Sequence, residues 1–115
     1  MNDSVNWVRV AVPAGLPPGG MRPVAAAGRQ LALYHLDDGS WHATDNICTH
    51  ALALLTDGWL EGCIVECPLH SGRFDVRNGA GQGAPIDTDL RVYPVRVEGG
   101  DVLVLVPGDD PGDAP

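Results

Sequence analysis

Turn formers leave this chain little room for a long uninterrupted helix. There are 15 glycines and 10 prolines among 115 residues, and Asp37-Asp38-Gly39, Asp57-Gly58, Arg77-Asn78-Gly79 and Gly99-Gly100 fall between short apolar runs. Asp-Gly and Asn-Gly pairs supply the positive φ that tight hairpins demand. The runs themselves read as strands. Trp7 to Val12 alternates, with Val8, Val10 and Val12 on one face and Arg9 and Ala11 on the other. Residues 13 to 20 are a Pro/Gly loop. Arg29 to Tyr34 and Ser40 to Thr44 alternate and are expected to pair as a hairpin. Trp59 to Glu66 reads as one strand leading into Cys67, and Phe74 to Val76 as a strand entering the next turn. Arg91 to Glu98 and Asp101 to Val106 make the clearest hairpin, with Pro94 placing the first of them at an edge or its margin.

Eight or more short strands without a helix predict an all-β, antiparallel sandwich or barrel. A single domain is expected over residues 1–106, with a subdomain of two loops inserted at about 45–83, because that segment holds all three cysteines and two of the four histidines. The tail at 107–115, PGDDPGDAP, offers almost nothing to bury and is expected to be disordered.

Fifteen acidic against seven basic side chains give a formal charge of −8. That sign opposes a nucleic-acid partner, which requires phosphate neutralisation, and an anionic membrane surface. No apolar run approaches the ~20 residues of a membrane span, and the amino terminus carries no export signal, so the cytoplasm is the expected compartment. The acidic excess suits a partner with a basic patch. Asp45, Asp57, Glu61, Glu66 and Asp75 flank the cysteine loops and form either a docking rim or an ordinary solvated face.

An odd number of cysteines in a reducing compartment points to ligand or redox chemistry rather than a disulfide framework. Two motifs pair a thiolate with an imidazole: Cys48-Thr49-His50 and Cys67-Pro68-Leu69-His70. A strand would hold Cys48 and His50 too far apart for one ion, so the site is expected to be built by loops. Zinc fingers generally place both cysteines before both histidines, with the latter on a helix. One of each per loop suits instead a two-iron centre with one iron on thiolates and the other on imidazoles; a structural Cys2His2 zinc site is the alternative. Copper lacks a methionine near the loops, since only Met1 and Met21 exist. Cys63 reads as a small buried hydrophobe in a strand, and His35 and His42, remote from cysteine in sequence, read as ordinary histidines. Pro68 and Leu69 read as covers over the site.

Those motifs, with D-G-W-L-E-G between them and E-C-P-L-H-S-G-R-F-D at the second, resemble the bacterial Rieske-type ferredoxins of ring-hydroxylating dioxygenases, the naphthalene type above all. The likeness extends through Tyr93 to Glu98 and so covers most of residues 5 to 106. It implies a Rieske-like fold and one [2Fe–2S] cluster, with Cys48 and Cys67 on one iron and His50 and His70 on the outer iron. It also implies a non-enzymatic one-electron carrier between a flavin-containing reductase and a terminal Rieske oxygenase, with no aromatic-substrate binding of its own. A small Rieske-like subunit of another reductase, such as nitrite reductase, is the alternative; many of those lack the four ligands.

Respiratory Rieske proteins join their two loops by a disulfide, at positions that here are Ala53 and Leu69. They also carry serine and tyrosine hydroxyls where this chain has Gly72 and Phe74. Hydrogen bonds to cluster sulfur favour the reduced, more negative state, so these replacements imply a low reduction potential. Many of the ferredoxins have glycine where this chain has Ala51, which demands an ordinary backbone conformation there or some strain.

Overall fold

The computed structural model describes residues 5–10, 16–49, 53–69, 71–84, 86 and 88–107. Among these, ten strands form three antiparallel sheets. The first joins β1 (Val5–Val10), β10 (Asp101–Pro107) and β9 (Val95–Glu98) in the order β1-β10-β9. The second is β2 (Gly20–Ala26), β3 (Arg29–His35), β4 (Trp41–Asp45) and β8 (Val92–Tyr93), in that order. The third, β5 (Trp59–Glu61), β6 (Ile64–Glu66) and β7 (Arg73–Asp75), lies wholly between β4 and β8 in the chain. The all-β antiparallel class is as the turn pattern requires.

The four-stranded sheet is covered on both faces. Leu31 and Leu33 of β3 pack with Ala43, Tyr93, Val102, Val104 and Val106 in one core. Ala32 and Tyr34, one residue out of phase, join Leu55, Val65, Phe74, Val76, Leu90, Cys48 and Cys67 in a second. Successive side chains on a strand point to opposite faces, so Leu31-Ala32-Leu33-Tyr34 serves both cores at once. This corrects the reading of Arg29 to Tyr34 as an alternating strand: Leu31 to Tyr34 are all fully buried, and strands covered on both sides are apolar throughout. Each buried leucine contributes roughly 1.5–3 kcal/mol.

Four further differences from the sequence reading have local causes. Trp59 to Glu66 is a hairpin, with Glu61 opposite Ile64 and Gly62, at φ 61°, in the first turn position, where two-residue hairpins call for glycine. Cys63 therefore occupies the turn and is half-buried. Strand β2 was hidden by Pro23 and its alanines; as an edge strand it tolerates a residue with no amide to give. Pro94 divides Arg91 to Glu98 into β8 and β9 at the point where the chain passes between sheets, and its carbonyl accepts from the Leu105 amide at 2.9 Å.

At the carboxyl end Pro107 is part of β10, opposite Val5, so the strand extends one residue into the expected tail; residues 108–115, like residues 11–15, lie outside the described residues. The insertion between β4 and β8 extends past residue 83, because Leu90 and Ile86 pack into the second core.

Candidate metal centre

Both cysteine motifs sit on loops that leave the ends of strands. Cys48 follows the isolated bridge between Ile47 and Leu54, and its amide donates to the Ala53 carbonyl at 2.9 Å. Cys67 follows β6 directly, and its amide donates to the Gly72 carbonyl at 2.7 Å. The two loops thus share one construction, in which the cysteine N–H is tied to the carbonyl five residues on. In the sequence, His50 and His70 fall inside these closed turns; their own placement, with that of Ala51, lies outside the described residues.

The structure brings the two cysteines together. They are 4% and 0% exposed, neither is in a disulfide, they pack into the same core, and the Cys48 side chain is close enough to perturb the Cys67 thiol. Burial pushes the Cys67 thiol pKa up; the Leu69 amide opposes this and the neighbouring Cys48 thiol adds to it. The Leu69 N–H points at Cys67 Sγ from 3.4 Å. A dry pair of soft donors with an amide already aimed at one sulfur fits the thiolate side of an iron–sulfur cluster, because a metal ion takes the place of the protons that burial otherwise retains.

Other expected residues divide. Pro68 is half-buried, whereas Leu69 is 44% exposed, so its amide rather than its side chain serves the site. Gly72 is buried, Phe74 is fully buried, and neither brings a hydroxyl. His35 stacks on Trp41 at 4.0 Å and its Nδ1 is 2.9 Å from the Leu16 carbonyl. His42 Nε2 lies 2.9 Å from Ser40 Oγ, and burial lowers its pKa. Both are structural, as read from the sequence.

The acidic rim contracts. Asp75 is 8% exposed and is gripped by Arg77 through Nε at 3.0 Å and Nη2 at 2.8 Å, which holds its carboxyl below the usual range. The Cys63 thiol lies near enough to this carboxylate to lower its pKa slightly, so Cys63 has a polar neighbour rather than the apolar strand environment expected of it. Asp45 accepts from the Tyr93 hydroxyl at 2.5 Å, and the phenol pKa is pushed up to about 12 by burial and by that carboxylate. Asp57 and Glu61 are exposed and Glu66 half-exposed.

The Rieske [2Fe-2S] domain profile matches residues 6–94. The chain belongs to the Rieske [2Fe–2S] domain family. Its cofactor is therefore a Rieske-type cluster, in agreement with the buried thiol pair. Among curated Rieske relatives, the naphthalene 1,2-dioxygenase system ferredoxin component of Pseudomonas aeruginosa is 43% identical over 98 residues, covering 85% of this chain and 93% of that protein. The Sphingomonas yanoikuyae B1 ferredoxin superposes with a TM-score of 0.81 at 39% identity, over 89% of this chain and all of that one. The ferredoxin in the complex of reduced oxygenase and oxidized ferredoxin of carbazole 1,9a-dioxygenase gives 0.78 at 36% identity, over 85% and 91%.

Two features of the Rieske centre were not evident from the motifs. One is the tie between each cysteine amide and the carbonyl five residues on. The other is buried Asn46, two residues before Cys48, which is 0% exposed. A polar residue two positions before a ligand motif was the available signal.

Proposed function

We propose that this chain is a cytoplasmic one-electron carrier that accepts from a flavin-dependent reductase and delivers to the terminal oxygenase of an aromatic-ring-hydroxylating system. The observation that carries the reading is the neighbouring, buried, disulfide-free pair Cys48 and Cys67 in a chain so similar to dioxygenase ferredoxin components. Among the described residues no helix is long and apolar enough to cross a membrane, and the charge of −8 suits a partner with a basic docking patch.

In this reading Cys48 and Cys67 hold one iron, and His50 and His70 hold the other, within a subdomain set into a single domain. When bound, the cluster takes up and releases one electron. The chain's own groups tune that exchange. The Leu69 amide supports negative charge on Cys67 Sγ, and Leu55, Val65 and Phe74, all fully buried, keep water from the thiol side. The experiment is metal and acid-labile sulfide analysis of anaerobically purified protein, with an electron paramagnetic resonance (EPR) spectrum after reduction. Two irons, two sulfides and a Rieske-type signal are expected; one zinc without sulfide would remove the electron-transfer function and leave the fold.

A further inference from the structure

The first cysteine loop leaves the sheet at Asn46 and returns at Thr56, and these two residues are fastened to each other twice. Asn46 Nδ2 donates to Thr56 Oγ1 at 2.9 Å, and the Thr56 amide donates to Asn46 Oδ1 at 3.0 Å. The backbone of Asn46 is equally engaged: its N–H donates to the Gln30 carbonyl at 3.1 Å, and its carbonyl accepts from Leu55 at 2.7 Å. Asn46 is completely buried, so its polar groups depend on these partners. Inside this neck come the Ile47 to Leu54 bridge and the Cys48 to Ala53 hydrogen bond.

We propose that Asn46 and Thr56 are positioning residues for the metal centre: their paired hydrogen bonds close the neck of the first loop and so fix where Cys48 presents its sulfur to Cys67. The argument is one of constraint. A short loop is ordered by the cost of opening its ends, and a buried amide that loses its partner cannot turn to water for another. Asn46 connects three segments at once, namely the start of β3, the short 3-10 turn Leu55–Asp57 and the loop itself. A displacement at the neck therefore passes to Cys48 two residues on. The side chains of Asn46 and Thr56 are spent on each other, and the Asn46 backbone on Gln30 and Leu55, which separates positioning from ligation.

This inference rests on the cluster assignment made above, and the test keeps the two apart. Wild-type protein is first shown to contain two irons and two sulfides; absence of both would end the functional reading before the neck is examined. Iron release to a chelator and the EPR g-values are then compared for Thr56→Val, which removes the hydroxyl at nearly constant volume, and Thr56→Ser, which keeps it. Thr56→Val is expected to release iron about tenfold faster, the effect of one buried amide left unpaired, with shifted g-values, and Thr56→Ser to match wild type. Equal release and equal spectra for Thr56→Val, or a Thr56→Ser protein as impaired as Thr56→Val, would overturn the proposal. Should the valine variant fail to fold, hydrogen exchange on the wild-type holoprotein decides the matter. The Thr56 amide should exchange as slowly as those of β3, and exchange at the rate of an exposed loop would overturn the proposal.

Discussion

Gly58 lies so close to the backbone of Glu66 that a methyl group on it would stand 1.9 Å from the Glu66 carbonyl oxygen and 3.1 Å from Pro68 Cδ. This approach brings the end of the first cysteine loop against the start of the second. Gly58 has φ −95°, outside the left-handed region, and the Glu66 backbone leaves no room for a side chain there. Gly58→Ala is expected to lower stability by about 2–3 kcal/mol, the cost of overpacking against rigid backbone, and to lower cluster content with it. Urea denaturation and iron analysis check this; a stable, fully loaded Gly58→Ala protein would show that the loops can separate without consequence.

The three cysteines should behave differently. Cys67→Ala or His70→Ala is expected to abolish the native cluster spectrum. Cys63→Ser, in the half-exposed hairpin turn between Glu61 and Ile64, is expected to retain two irons and two sulfides per chain, because serine is close in size and a turn tolerates a polar side chain. An unchanged spectrum in His70→Ala would remove that residue from the ligand set.

The reduction potential should lie toward the low end of the roughly −150 to +300 mV Rieske range, since the buried positions Gly72 and Phe74 offer no hydroxyl to the site. Phe74→Tyr and Gly72→Ser are each expected to raise the midpoint if the new hydroxyl reaches a sulfur. Voltammetry gives the answer, and a wild-type midpoint well above zero contradicts the reading.

Stability should fall in acid through Asp75. Its folded pKa lies below the reference 3.8, chiefly because the Arg77 side chain bonds it. A carboxyl so depressed contributes fully above its unfolded pKa and loses that contribution as pH falls through the folded value. Asp75→Asn should therefore cost about 1 kcal/mol near neutrality, a modest figure because Arg77 is largely exposed, and the gap to wild type should close below about pH 3. Paired urea titrations across this range measure it; a gap independent of pH would assign the effect to packing.

Electron delivery should slow with added salt, and more so in wild type than in a variant carrying Asp57→Asn, Glu61→Gln and Glu66→Gln. These acids face solvent to differing degrees, where a Debye length of about 8 Å at physiological ionic strength limits steering. A rate indifferent to salt in both proteins would exclude charge steering as the basis of docking.

What could be read from the sequence was what is local. Hairpin turns such as Asp37-Asp38-Gly39 follow from backbone sterics within a few residues, and so do the two Cys/His motifs, whose spacing carries the ligand chemistry. What is decided by distant contacts could not be read. Residues 31 to 34 look like one more strand until sheets on both sides are in place, and only then is their continuous apolar character explained. Pro23 and the alanines of β2 disguise a strand that exists because β3 supplies its partners. Asp75 looked like part of an acidic rim in the sequence, and its pairing with Arg77 is local, but its burial comes from the packing of β7 against β6. The sequence by itself supplied the candidate donors Cys48, His50, Cys67 and His70, because ligand chemistry belongs to residue types. The tertiary structure alone decided that Cys48 and Cys67, nineteen positions apart, meet in a dry place, because burial and contact are properties of the closed neck and the packed second core.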